Sequence, residues 1–504
     1  MNTPIRIAIL FLVVASTGFA AESKPPNILF AIADDWSYPH ASIYGTPEID
    51  TPNFDRIAKE GMLFTQAFTA APQCSPNRAS ILTGRHIWQN YEAGTHASYF
   101  PKTLTVFTDA LETGGYELGA TGKLWQPGNW KDSGWPRNPV GPEFQSETIS
   151  RADLPASGIT NNNYAGNFGA FMKQRDKDKP FFFWYGAKEP HRKYEEGSGV
   201  KAGKDLSKVH VPSFLPDNDV VRNDLLDYFV EVEWFDEHLG RILKQLEDEG
   251  ELDNTIVIVT SDNGMPFPRA KANVYEYGVR VPLAISWKGH IKPGQKTDAL
   301  FSHIDLAPTV LQAAGIENMV YATGLTQLGV LTGEEASARD HVMYGRERHS
   351  HSRYDNVGYP CRAIRTKDYV LIQNLRSERM PAGDKEGFHD IDNGPTKTWM
   401  MENRETEMEL FAASFGWRLN EELYRVQEDI DCMNNLSEQE EMKGIVAEMK
   451  EQLESLRFDQ GDPRSINMDG LFESYPRFNR MRPELGGFAT RGEFNMKYLV
   501  NVVN

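Results

Sequence analysis

Several short stretches of the 504-residue chain carry residue types that do chemistry, and most of them stand where an apolar run stops. The run Asn27-Ile28-Leu29-Phe30-Ala31-Ile32-Ala33 ends in Asp34-Asp35-Trp36, and Thr255-Ile256-Val257-Ile258-Val259-Thr260 ends in Ser261-Asp262-Asn263-Gly264. Adjacent carboxylates at the end of a buried strand are costly unless they are paired or bind a metal. In an open α/β sheet that edge is where ligands sit. A hydrated turn is the plainer reading of either stretch alone. Cys74-Ser75-Pro76-Asn77-Arg78-Ala79-Ser80-Ile81-Leu82-Thr83-Gly84-Arg85 sets a lone cysteine at a polar turn before an apolar, helix-like run. An isolated cysteine of this kind is ordinarily just buried. If the segment is helical, Arg78 faces the same side as Cys74, and its fixed fork suits an oxyanion. Lys123, His191 and Lys271 complete the set, each readable by itself as a solvated or satisfied loop residue.

Taken together these residues resemble the type I sulfatases of the alkaline-phosphatase-like superfamily. Cys74-x-Pro76-x-Arg78 followed by Thr83-Gly84 is close to the family signature, in which the cysteine is oxidised to formylglycine. The resemblance implies a hydrated aldehyde at Cys74 as nucleophile, and a maturation enzyme, formylglycine-generating or anaerobic, as partner. It implies Asp34, Asp35, Cys74, Asp262 and Asn263 as ligands of calcium, with magnesium as the alternative; hard oxygen donors suit such ions and not zinc. Lys123 and Lys271 match the lysines that contact sulfate, Arg78 the arginine beside the nucleophile, and His191 the residue that protonates the bridging ester oxygen. The chemistry agrees with this set. A sulfate ester needs a strong nucleophile at sulfur, cations on the sulfuryl oxygens and a proton for the departing oxygen, and a cation lowers the pKa of an attacking hydroxyl. A thiol could not later expel sulfate by collapsing to an aldehyde.

The chain departs from the family at Gly122-Lys123-Leu124-Trp125, where Trp125 stands at the place of a histidine. Tryptophan cannot act as a base, so His96 or His86 is expected to reach in, or turnover takes another route. The loop Trp88–Phe100, which carries His96, is rich in groups that contact sugars. With it, Arg192, Arg269, Arg348, His349 and Trp125 form the expected substrate-binding set. Pro190-His191-Arg192 and Pro266-Phe267-Pro268-Arg269-Ala270-Lys271 resemble the N-sulfoglucosamine sulfohydrolase branch, though they adjoin shared catalytic residues. The expected substrate is a sulfated polysaccharide or its oligosaccharides, an algal one such as carrageenan or ulvan, cleaved at O-sulfate esters. The alternatives are an N-sulfoglucosamine sulfohydrolase, a phosphodiesterase or phosphonate hydrolase, and a non-catalytic protein that binds sulfated glycans.

The elements that must position these groups follow from pattern. Continuous apolar runs at 27–33, 181–185 and 255–260 read as central strands of a mostly parallel sheet, buried on both faces. Helices are expected from Pro52, over Leu104–Thr113, over Val220–Glu249 and over Leu436–Asp459, with His238 on a surface. The pattern reads as α/β, and the resemblance implies a large mixed sheet sandwiched by helices with a smaller C-terminal α+β part on an antiparallel sheet. The expected divisions are a signal peptide over 1–20, a catalytic domain over 24–335 and a smaller domain with an extended tail over 336–504. The leader predicts a periplasmic or secreted protein without stable membrane insertion. Of three cysteines, Cys361 and Cys432 could pair or stay free. A formal net charge of -18 argues against a nucleic-acid partner. It also opposes a sulfated substrate, so capture must depend on a locally basic pocket. A homo-oligomer is left open.

Overall fold

The computed structural model describes residues 24–488 and 490–499; the expected leader over 1–20 lies outside them. The strands are β1 (Asn27–Ala33), β2 (Met62–Phe64), β3 (Ala67–Phe68), β4 (Glu117–Gly122), β5 (Phe181–Gly186), β6 (Thr255–Ser261), β7 (Leu283–Ser286), β8 (Gln295–Thr297), β9 (Phe301–Ser302), β10 (Val342–Arg346), β11 (Cys361–Arg365), β12 (Tyr369–Asn374) and β13 (Glu421–Arg425). Seven of them form one sheet in the order β4-β5-β1-β6-β7-β2-β8. The pairs β4/β5, β5/β1, β1/β6 and β2/β8 are parallel, and β7 runs antiparallel to β6 and β2. A second sheet, β10-β11-β12-β13, is antiparallel throughout. The large mixed sheet and the small antiparallel one are those the family resemblance implies.

Because successive strand residues face opposite sides, β1 feeds two cores. Leu29, Ala31 and Ala33 pack with the long helix Asp219–Asp248, through Leu225, Val232, Phe235 and Leu239. Ile28, Phe30 and Ile32 pack on the other face with Ala79, Ile81 and Leu82 of the helix Cys74–Thr83, and with the helices Phe107–Thr113 and Leu306–Ala313. Burial on both faces explains why the sequence of β1, β5 and β6 lacks alternation.

Some boundaries differ from pattern. The helix expected from Leu104 starts at Phe107, because Val106 keeps an extended backbone. The last long helix starts at Lys443, not Leu436, and packs Val446, Met449 and Leu453 against Ile364, Leu371 and Leu423 of the small sheet. His238 is buried, not on a surface: Ala165 N–H donates to its Nδ1 at 3.2 Å. Cys361 and Cys432 are free and buried. The tail returns to the catalytic side, where Phe478 N–H donates to Ala97 O at 2.7 Å.

Candidate active site

Strand register assembles the site. Ile32 pairs with Gly186, Ala33 with Ser261, and Gly122 with Gly186, so β4, β5, β1 and β6 stop at one edge. The next residues are Lys123 after β4, the loop to His191 after β5, Asp34-Asp35 after β1 and Asp262-Asn263 after β6. Gly122 has φ +79, and a Cβ there would lie 1.9 Å from Gly186 O, so only glycine turns the chain at this point. Asp35 also holds a left-handed backbone, φ +79, which a non-glycine residue keeps only where its surroundings enforce it. Asp35 N–H donates to Asp262 Oδ1 at 3.2 Å.

Cys74 begins its helix 2% exposed, under the carboxylates. Asn77, one turn on, donates from Nδ2 to Asp262 O at 2.6 Å, and Asn77 Oδ1 accepts Ala70 N–H at 2.9 Å. Arg78 Nε donates to Asp262 Oδ2 at 2.7 Å, and its Nη1 to Lys123 O at 2.5 Å. Lys123 Nζ meets Asp34 Oδ2 at 2.5 Å. Lys271 Nζ meets Asp35 Oδ2 at 2.7 Å, and Asn263 Nδ2 donates to Asp35 Oδ1 at 2.6 Å.

These buried charges tune one another. Burial pushes Asp34 up, but Lys123, then His191 and Arg78, outweigh it and hold the carboxyl well below the usual range. Asp262 is pushed up to about 6 by burial and by the Asp34 charge. Burial works against the Lys271 ammonium, yet Asp35 and a further carboxylate, Asp392, keep it charged. Burial raises the Cys74 thiol far above its ordinary value, so as a thiol it stays neutral and a weak nucleophile.

The residues fit a hard cation. Ligand atoms of Asp34, Cys74 and Asp262 lie within 4.8 Å of one another. Asp34 Oδ1 and Asn263 Oδ1 are buried with no hydrogen-bond partner, which is costly for an oxygen that nothing binds. An all-oxygen cage of carboxylates and an amide suits calcium or magnesium. Cys74 is placed as the formylglycine precursor beside it.

The residues expected to bind substrate divide. His96 and His349 are brought together: the His96 Nδ1 lies 3.1 Å from His349 O, and the rings sit 4.7 Å apart. Ala97 N–H donates to Ser75 Oγ at 3.1 Å, which ties this loop to the nucleophile helix. His86 instead stacks on Trp88. His191 directs Nδ1 to Arg192 O at 2.7 Å. The other four have different work. Arg192 makes a two-pronged pair with Asp224, 2.7 Å at each prong, and donates to Pro266 O. Arg269 donates to Ala413 O and Cys432 O and stacks on Tyr275. Arg348 donates to Tyr475 O at 2.7 Å and Pro476 O at 2.8 Å. Trp125 is fully buried, its indole N–H on Ser75 O at 3.0 Å. These four direct donors to carbonyls and a carboxylate of the chain itself and so brace the loops around the site, while Nε of Arg269 and of Arg348 stays without a partner.

Two acids of the site went unread in the sequence. Asp392 meets Lys271 Nζ at 3.0 Å and shares a 4.8 Å cluster with Asp35 and His191. Asp390 pairs with Arg346 and Arg353, each at 2.6 Å, and accepts Ser350 N–H. Both lie in a polar loop with no apolar strand before it.

Comparison with known proteins agrees with this geometry. The sulfatase family profile matches residues 26–316, and the profile of the N-sulphoglucosamine sulphohydrolase C-terminal region matches 269–413. The chain therefore belongs to the sulfatase family, as a formylglycine-dependent type I sulfatase with the alkaline-phosphatase-like fold. It is 27% identical to human N-sulphoglucosamine sulphohydrolase over 94% of this chain and 97% of that one. It is 28% identical to an ulvan-active sulfatase of Formosa agariphila over 92% of this chain and 86% of that one. The structure of BT4656 in complex with its substrate D-glucosamine-2-N,6-O-disulfate shares the fold, with TM-score 0.64 and 22% identity over 87% of this chain and 99% of that one. The protein is a catalytic sulfatase acting on a sugar substrate. Among the described residues no helix is long and apolar enough to cross a membrane.

Proposed function

We propose that the chain is a sulfohydrolase of N-sulfated glucosamine, in place of the algal O-sulfate specificity that composition and loops suggest. The observation that carries this reading is the match over 269–413 to the N-sulphoglucosamine sulphohydrolase C-terminal profile. That segment supplies Lys271, His349, Asp390 and Asp392 to one side of the pocket. The nearly end-to-end alignment with the human enzyme supports it. A second reading, an O-sulfate ester of an algal polysaccharide, has the Formosa relative in its favour.

A cation held by Asp34, Asp35, Asp262 and Asn263, with formylglycine at position 74, would supply an acidified hydroxyl as nucleophile and a route for release of sulfate. The chain does the rest. Lys123, Lys271 and Arg78 are cations fixed before substrate arrives, so they favour charge on the sulfuryl oxygens without reorganising. Asp34, Asp35 and Asp262 hold those cations in place. His191, its Nδ1 directed to Arg192 O, presents Nε2 to protonate the leaving atom. His96, with Nδ1 engaged by His349 O, takes the place of the histidine that Trp125 displaces. Maturation of Cys74 by a formylglycine-forming enzyme and export to the periplasm or medium belong to the same proposal.

The test is release of sulfate from N-sulfoglucosamine, glucosamine 6-sulfate, carrageenan and ulvan oligosaccharides, with Cys74 conversion verified by intact mass. Sulfate from N-sulfoglucosamine, and a fall in kcat of about 10²–10⁴ in His191→Gln, is expected. Sulfate from ulvan or carrageenan alone would overturn the nitrogen reading.

A further inference from the structure

Asp392 stands among the sulfate-facing residues with the wrong charge for sulfate. Its carboxylate lies 3.0 Å from Lys271 Nζ, within 4.8 Å of a His191 ring nitrogen and an Asp35 oxygen, and its side chain keeps 29% of its surface open. Lys271 already has Asp35 as counter-ion at 2.7 Å. A second carboxylate therefore weakens the pocket's hold on a sulfuryl group unless a donor on the substrate meets it.

The fold holds Asp392 in place on both sides. Two residues before it, Asp390 is fixed by Arg346 and Arg353. Lys397 donates to Phe388 O at 3.1 Å, Ile391 O at 2.8 Å and Asn393 Oδ1 at 2.9 Å, so one ammonium clamps the backbone around it. Asp224 then ties Thr396 to Arg192, and so to the His191 loop. A carboxylate so braced does not swing away when substrate enters.

Two groups within 4.8 Å of each other can both reach one atom at a hydrogen-bond distance of about 2.8 Å. The atom that bridges sugar and sulfur, the one His191 protonates, is such an atom. In a sulfate ester it is an oxygen with lone pairs only, and it repels a carboxylate. In a sulfamate it is a nitrogen with a hydrogen to donate.

We infer that Asp392 is the residue that selects nitrogen over oxygen at the bridging position, accepting the sulfamate N–H and then holding the ammonium that cleavage leaves. This rests on the N-sulfoglucosamine reading above. The step balances: the N–S bond breaks, its electron pair stays on nitrogen, water supplies the fourth oxygen of sulfate, and its two hydrogens end on nitrogen. Sugar-NH-SO₃⁻ and water thus give sugar-NH₃⁺ and SO₄²⁻, with no other reactant. A site that accepts a substrate N–H disfavours the analogue without it, because the carboxylate then faces an oxygen that has lone pairs and no hydrogen.

The test is Asp392→Asn, which keeps shape and loses the charge, and Asp392→Glu, which keeps the charge, each with Tm and Cys74 conversion recorded. Against N-sulfoglucosamine, Asp392→Asn is expected to lose about 100-fold or more in kcat/KM, and the ratio of N-sulfate to O-sulfate turnover is expected to fall with it. Asp392→Glu is expected to recover part of the first loss. Independently of turnover, calorimetry of the protein with glucosamine and with glucose is expected to show binding of the amine alone weakened by Asp392→Asn. Equal loss on both substrates, with glucosamine binding unchanged, would overturn the role of Asp392 and leave the substrate reading standing. A wild-type enzyme that cleaves only O-sulfate would overturn both.

Discussion

At the edge of the seven-stranded sheet Arg78, Lys123 and Lys271 meet Asp34, Asp35 and Asp262, and beside the four-stranded sheet Arg362, Arg457 and Arg464 meet Glu347, Asp462 and Glu473. Residue types and burial are alike. The second cluster closes on itself: Arg362 spans Glu347 at 2.7 Å and Asp462 at 2.8 Å, and Arg464 spans Glu347 at 2.6 Å and Glu473 at 2.9 Å. None of these six residues leaves a fully buried side-chain atom without a partner, whereas in the first cluster Asp34 Oδ1, Asn263 Oδ1 and Arg78 Nη2 are left over. Buried polar atoms are normally satisfied. Leftover atoms in the cluster that sets Cys74 beside Asp34 and Asp262 mark the one that works on a ligand, and a closed network marks the one that holds the chain together.

That contrast is open to direct attack. Asp262→Asn, in the unfinished cluster, is expected to lower kcat/KM by about 10³-fold or more, since it removes a cation ligand and the counter-ion of Arg78. Its amide oxygen can still accept from Arg78 Nε, so Tm should fall less than for the next variant. Arg362→Ala, in the closed cluster, leaves Glu347 and Asp462 short of their shared partner and is expected to cost about 3–5 kcal/mol of stability. Its kcat/KM per folded molecule should be unchanged, as urea unfolding and sulfate release together would show. If Arg362→Ala instead disabled folded enzyme, the division would fail.

A third perturbation asks what pH does away from either cluster. Burial lowers His238 to about 3, and Nδ1 must stay unprotonated to accept Ala165 N–H. The unfolded chain takes up this proton near pH 6.5 and the folded chain only near 3, so stability falls as pH drops between them. The loss from this one residue is about 3 kcal/mol at pH 4. His238→Asn, which supplies an acceptor that does not titrate, should flatten the Tm curve over that window, and an unchanged slope would refute the assignment. The smallest effect belongs to Trp125→Phe, which removes the indole N–H that donates to Ser75 O in the first turn of the nucleophile helix. A loss of about 1–3 kcal/mol is expected, with kcat/KM within a few-fold; a large kcat loss would make Trp125 more than a strut.

How much of this was legible in the sequence follows the same division. The carboxylates of the site announced themselves because each follows an unbroken apolar strand, and parallel register then brings Asp34 beside Asp262. Cys74 and Arg78 lie one helical turn apart and needed only local geometry. The bracing role of Arg192, Arg269 and Arg348 was not legible because sequence shows an arginine near catalytic residues but not the carbonyl or carboxylate it pairs with. Those partners, Asp224, Ala413, Cys432, Tyr475 and Pro476, are from about 30 to more than 160 residues away along the chain. Asp392 was missed for the converse reason. It reaches the pocket through a loop braced by Lys397 and by the partners of Asp390, and no periodic pattern records such bracing.

The most direct measurement is calcium titration of the purified protein by calorimetry, on wild type, Asp34→Asn, Asp262→Asn and Glu347→Gln. One calcium ion per chain is expected in wild type and in Glu347→Gln, with binding weakened or lost in the two site variants. Absent binding in wild type, or binding that ignores Asp34 and Asp262 and responds to Glu347, would contradict the claim that the unfinished cluster is the one built for a cation.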